Sequence, residues 1–153
     1  MSTASVDEFV GSETKGKFNG TGSDRYAVYV HHDGYPERML PLLEEFLKWN
    51  KSRNNDAGYT SANFIYWYKR RALKKARKMS REYKVEERNH KGFLLQVEQT
   101  GVGVWNPGSL REMDNSGINY YYKVRLPALG QFLAVGIQCY LLPLDKVCSN
   151  PDQ

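Results

Sequence analysis

The stretch RYAVYVHHDGYPERMLPLLEEFLKW, residues 25–49, changes its hydrophobic period once, and that change decides the fold class. From Arg25 to His31 the period is two. Tyr26, Val28 and Val30 fall on one face of a strand, and Ala27, Tyr29 and His31 on the other. His32-Asp33-Gly34-Tyr35-Pro36 reads as a turn, with Gly34 suited to positive φ and Asp33 placed to cap the next helix. From about Pro36 or Glu37 to Trp49 the period is helical: Met39, Leu43, Phe46 and Leu47 form one stripe, and Glu44, Glu45 and Lys48 face away. Pro41 suits a helix starting near Arg38, because first-turn N–H groups lack helical partners anyway; an earlier start would kink the helix.

Outward from this stretch, Asn50 to Gly58 is a polar linker, and Thr60 or Ser61 is expected to cap a second helix, about Ala62 to Tyr83. Its apolar stripe is Ile65, Tyr68, Ala72, Ala76, Met79 and Tyr83, with basic residues around most of the remaining surface. Strand signals come next at Gly92 to Gln99, Val102 to Trp105 and Ile118 to Leu126. In the last of these Ile118, Tyr120, Tyr122, Val124 and Leu126 share a face. Pro127-Ala128-Leu129-Gly130 is expected to turn a hairpin whose returning strand has Leu133, Val135, Ile137, Cys139 and Leu141 on its core face. Residues 1–23 are expected to be a disordered tail and 149–153 a frayed one. The expectation is one α+β domain over residues 24–148: a mostly antiparallel sheet with two main helices packed on one face.

The composition agrees with a globular domain: 153 residues, 41% hydrophobic and 25% charged. No stretch reaches the roughly 18 apolar residues that span a bilayer, and no secretory signal opens the chain, so a cytoplasmic protein is expected, without a membrane partner. Two cysteines, Cys139 and Cys148, do not make a disulfide framework and are read as thiols of a reducing compartment. The net charge of +5 is unevenly spread. Residues 69–84 hold nine basic side chains against one acid, Glu82, a local charge of +8 that leaves −3 on the rest of the chain.

Two constellations are candidates for chemistry. The first is His31, His32, Asp33 and Tyr35, at a strand-to-helix junction where free backbone N–H groups favour anions and a histidine can act as acid or base. The alternative is that Asp33 caps and Tyr35 packs. The second is the basic helix, where Arg70, Arg71, Lys74, Lys75, Lys78 and Arg81 suit phosphates, and Phe64, Tyr66 and Trp67 suit stacking on bases. Its alternative is a solvated face docked on the acidic remainder. Gly101-Val102-Gly103 lacks the sequence of a phosphate loop, and Tyr120-Tyr121-Tyr122 suits packing, with Tyr121 facing away from its neighbours. The third histidine, His90, stands apart, so neither metal nor cofactor is expected, and no catalytic motif of a known class is present.

The segment Ala27 to Pro36, with Leu40, Leu43 and Phe46 after it, resembles small phage and prophage proteins in which a strand ends in His-x-Asp-Gly-Tyr-Pro and leads into a helix. The resemblance covers about twenty residues, with His31, Asp33, Gly34, Tyr35 and Pro36 as its signature positions, and His32 stands where the pattern often carries Trp. It implies phage origin rather than a mechanism. The reading is a phage-type accessory binding protein, host-interfering or anti-defence, whose basic helix engages nucleic acid or an acidic host protein. The alternative is a nucleotide-directed enzyme or nucleotide-sequestering protein using His31, Asp33 and Tyr35. A homo-oligomeric assembly protein is a third role compatible with the tyrosines.

Overall fold

The computed structural model describes residues 3–11, 25–82, 87–106, 117–127, 136–142 and 146–147, with the side chains of 87–90 and 146–147 excepted. The elements run β1 (Ala4–Val10), β2 (Arg25–Val30), α1 (Pro36–Trp49), a 3-10 turn (Lys51–Arg53), α2 (Ala57–Glu82), α3 (Glu87–Gln99), β3 (Val102–Trp105), β4 (Ile118–Arg125), β5 (Gly136–Leu141) and β6 (Lys146–Val147). The strands form one six-stranded sheet in the order β3-β2-β1-β4-β5-β6. The class is α+β. The sheet is mixed, however, because its central pair, β1 and β4, runs parallel.

That central pair corrects the expectation of an N-terminal tail. Ala4–Val10 is a strand with hydrogen-bonded neighbours on both sides, and Val6 and Phe9 are fully buried. Alternation sends Ser5, Asp7 and Phe9 toward the helices, and Val6 and Glu8 to the opposite face. On the helix side Phe9, Val28, Val30, Tyr122, Val124 and Cys139 meet Met39, Leu43 and Phe46 of α1 and Phe64 and Trp67 of α2. The opposite face has a smaller cluster of Val6, Ala27, Ile118 and Tyr121, with Tyr29, Trp105, Tyr140 and Leu142 against it. Ile118 belongs there, not with Tyr120 and Tyr122. The ladder shifts between Ala4/Ile118 and Ser5/Tyr120, and Asn119 steps out to accept the Ala4 N–H on its side-chain oxygen at 3.2 Å.

The first helix has the expected bounds. Pro41 lies inside it on an exposed position, so the Glu37 carbonyl loses its helical donor. Gly92–Gln99, read as a strand, is the end of α3, which lies against α2. The polar linker is a built corner. Asp56 caps α2, accepting the Tyr59 N–H at 2.9 Å. Thr60, inside the helix, donates to the Arg53 carbonyl at 2.8 Å, and Asn50 reaches both Thr60 and Asn54 at 3.0 and 2.9 Å. This buried network satisfies the polar groups between α1 and α2 and holds their relative setting. The stretches 107–116 and 128–135, with Cys148, lie outside the described residues. Among the described residues no helix is long and apolar enough to cross a membrane.

Candidate anion-binding cleft

The side of α2 that builds the core does not end where the core ends. Phe64 and Trp67 are buried, and continuing along the same side in steps of three or four residues brings Arg71, then Lys75, then Lys78. The face is apolar at Phe64 and Trp67 and cationic from Arg71 to Lys78. The cationic portion overlooks α1 across a cleft of about 560 Å³. Arg71, Lys74, Lys75, Lys78 and Arg81 line it from α2, and Arg38 and Glu45 from α1, over a floor that includes Pro41, Leu42, Tyr68 and Ala72. Six cations face one carboxylate.

Two of the cations have acidic partners. Arg71 pairs with Glu45 at 2.6 Å and lies 4.8 Å over the Trp67 ring, and Lys78 reaches Glu82 at 4.0 Å. Both pairs are exposed and contribute little. Among the described residues Lys74, Lys75 and Arg81 pair with no carboxylate. Arg38 closes one end: it donates to the Tyr68 hydroxyl at 3.1 Å and to the Asp33 carbonyl at 3.2 Å. Beneath it lies Asp7, fully buried, with one carboxylate oxygen 3.3 Å from the Ser5 hydroxyl and the other without a partner among the described residues. Burial pushes the Asp7 carboxyl up to about 8, against the smaller opposing effects of the Ser5 hydrogen bond and the Arg38 charge.

The structure thus gathers five of the expected binding residues, Arg71, Lys74, Lys75, Lys78 and Arg81, into one concavity and adds Arg38. Arg70 lies outside the cleft, exposed. Trp67 is corrected: it is 7% exposed, packs on Phe46 and Phe64, and has no free ring face to offer a base. Phe64 is likewise core, whereas Tyr66 is exposed. The apolar stripe expected on α2 holds in part: Ala76 is buried and Ile65 and Tyr68 pack against the core, but Phe64 and Trp67 make the deepest contacts, and Tyr83 lies outside the described residues. Met79 is 40% exposed, and Ile65, Tyr68 and Ala72 are half-buried.

None of His31, His32, Asp33 and Tyr35 lines the cleft. His31 and His32 have ring centroids 4.3 Å apart; His32 is exposed, and His31 Nδ1 shares a 2.6 Å hydrogen bond with the Tyr29 hydroxyl at the surface. Asp33, not Gly34, takes the left-handed conformation, at φ 55°, and its side chain does not cap α1, whose N-cap is Tyr35. Gly34 matters for a different reason. A Cβ there would stand 2.7 Å from the Ser5 Cβ and 2.9 Å from the Ser5 nitrogen. Its N–H donates to the Thr3 carbonyl at 2.7 Å and its carbonyl accepts from Tyr122 at 2.6 Å. The Asp-Gly-Tyr-Pro turn is thereby stitched to the two central strands.

The other groups that sequence reasoning missed are Asp7, Arg38 and Glu8. Glu8 is fully buried on the sheet's second face, where it accepts from Arg25 at 2.6 Å and from Tyr121 at 2.7 Å. Burial first, and then the Glu8 bond, hold the Tyr121 phenol in its protonated form. Tyr121 is 4% exposed and packs its ring on Tyr140 at 5.6 Å. Among the described residues no three of His, Cys, Asp and Glu are grouped to hold a metal ion. Comparison with protein families, with curated proteins and with solved structures gives no match.

Proposed function

We propose that the protein is an accessory nucleic-acid-binding protein that grips the phosphate backbone in the cleft between α1 and α2. The observation that carries this reading is the hand-over along α2, where a core-forming face becomes a row of cations overlooking a concavity. A charged face that merely solvated the protein would point outward from the core side, not continue it. Six cations against one acid make an attractive field for a polyanion, and the floor of Pro41, Leu42, Tyr68 and Ala72 accepts sugar or base edges. The resemblance of Ala27 to Pro36 to phage proteins supports an accessory role in an infected host. The residues of the His-Asp-Gly-Tyr-Pro junction serve this reading by positioning Arg38.

The test is anisotropy titration of a labelled oligonucleotide across a range of salt. Four phosphate contacts predict a slope of about −3 to −4 in log K against log salt. Reversing Lys74, Lys75 and Lys78 to Glu removes binding and leaves the fold intact, because all three are exposed. Arg71 is a poor choice, since it also packs on Trp67. Binding of an acidic polypeptide in place of nucleic acid, or salt-independent binding, would overturn the proposal.

A further inference from the structure

Resting on the nucleic-acid reading above, we infer that the ligand is a single strand, whose bases stack on an aromatic platform of Trp49, Tyr59 and Tyr66 beside the basic cleft. These three rings are 50%, 61% and 58% exposed, and exposed apolar groups gathered in a patch mark an interaction site. Trp49 ends α1 with its ring tilted against Phe46 at 6.2 Å between centroids, and it lies 6.5 Å from the ring of Tyr66. Tyr59 stands two turns before Tyr66 on the same side of α2, with the Arg53 guanidinium over one face at 5.5 Å. Each ring keeps about half or more of its surface exposed, and Arg53 covers one face of Tyr59. Exposed ring surface is what a stacking base requires, and Arg53 adds a cation beside it.

The platform is continuous with the cleft. Tyr66, Arg70, Lys74 and Lys78 succeed one another at four-residue steps, so they form a single ridge about 18 Å long, from an exposed ring to the cleft wall. This gives Arg70, which the cleft leaves out, a place on the path. A strand laid along the ridge would set phosphates on Lys78, Lys74 and Arg70 and deliver its next bases to Tyr66, Trp49 and Tyr59. A duplex cannot do this, because its base faces are already stacked on each other and only unpaired bases have faces to offer.

The experiment is a titration of labelled oligothymidylate of about a dozen nucleotides, against a duplex of equal length, over a salt range. The expected result is tighter binding of the single strand. Trp49→Ala, Tyr59→Ala and Tyr66→Ala each lower its affinity roughly five- to a hundredfold without changing the salt slope, because no phosphate contact is lost. Phe at the same positions restores affinity, which a merely structural disturbance would not allow, and circular dichroism monitors the fold. Alanine variants that bind the single strand as the wild type does, or equal affinity for both ligands, would overturn the inference while leaving the cleft reading in place. A wild type that binds neither ligand overturns both.

Discussion

At the residue scale the most consequential group is a buried acid that no motif announces. Asp7 faces the helix layer from the central strand, with one oxygen unpartnered among the described residues. Burial moves its carboxyl from an ordinary 3.8 up to about 8. The folded protein therefore holds a proton, between about pH 4 and pH 8, that the unfolded chain releases. Stability falls as pH rises through that window and levels off above it. Asp7→Asn is expected to flatten this decline, leaving stability near pH 4 unchanged and raising it by ~1 kcal/mol or more at pH 8. Urea midpoints measured from about pH 4 to pH 9 check this, and parallel profiles for wild type and variant would contradict it. Glu8, one residue on, is equally buried and also has one oxygen unpartnered among the described residues, but its other oxygen accepts from both Arg25 and Tyr121. The difference arises from the face each side chain takes, which alternation along one strand decides.

At the element scale α2 has two tasks, and its halves respond to mutation differently. Trp67 lies among Phe46, Phe64 and the Arg71 guanidinium in the first half, so Trp67→Ala is expected to cost about 3–5 kcal/mol. Lys75→Ala, two turns along the same side, is expected to change stability by less than about 0.5 kcal/mol, because its side chain is exposed. Urea denaturation of both variants measures the contrast; equal losses would mean that the basic half is as tightly docked as the apolar half. This same division limits what the sequence reveals. The helical period of α1 is legible because that helix has one buried and one exposed side, and the strands at Arg25–Val30, Val102–Trp105 and Ile118–Arg125 are legible from their β-branched and aromatic residues. Ala4–Val10 is not, because a central strand is buried on both faces and here carries Ser5, Asp7 and Glu8, which local reasoning assigns to solvent. The partners that make Glu8 tolerable lie 17 and 113 residues away. In Gly92–Gln99 a short apolar run fits strand and helix alike, and the residues before it decide for helix. The cations of the cleft are legible as a group, but not their concavity, which depends on α1 lying across from them.

At the scale of the whole molecule the parallel pairing of β1 with β4 is what binds distant parts of the chain together. The register joins Ala4–Val10 to residues 118–125, so α1, α2 and α3 are enclosed in the connection between adjacent central strands. The cationic half of α2 is held in a crowded row it would not choose by itself. Between Arg70 and Arg81 there are eight like-charged pairs at three- or four-residue spacing, against the Lys78–Glu82 and Arg71–Glu45 ion pairs. Each like-charged pair destabilises a helix by about 0.2–0.5 kcal/mol at low salt, so repulsion outweighs attraction by a few kcal/mol. The Debye length shortens from about 10 Å at 0.1 M to 3 Å at 1 M, and screening at the higher salt relieves most of this. Raising sodium chloride from low to high concentration is therefore expected to raise the melting temperature of the free protein by several degrees, at about 2–4 °C per kcal/mol for a chain of this size. An oligonucleotide at low salt should produce the same stabilisation by mass action and lose its effect as salt rises. Calorimetry with and without the oligonucleotide separates the two trends. A melting temperature that falls with salt in the free protein would mean that the protein's own carboxylates satisfy these cations, leaving no field for a phosphate backbone.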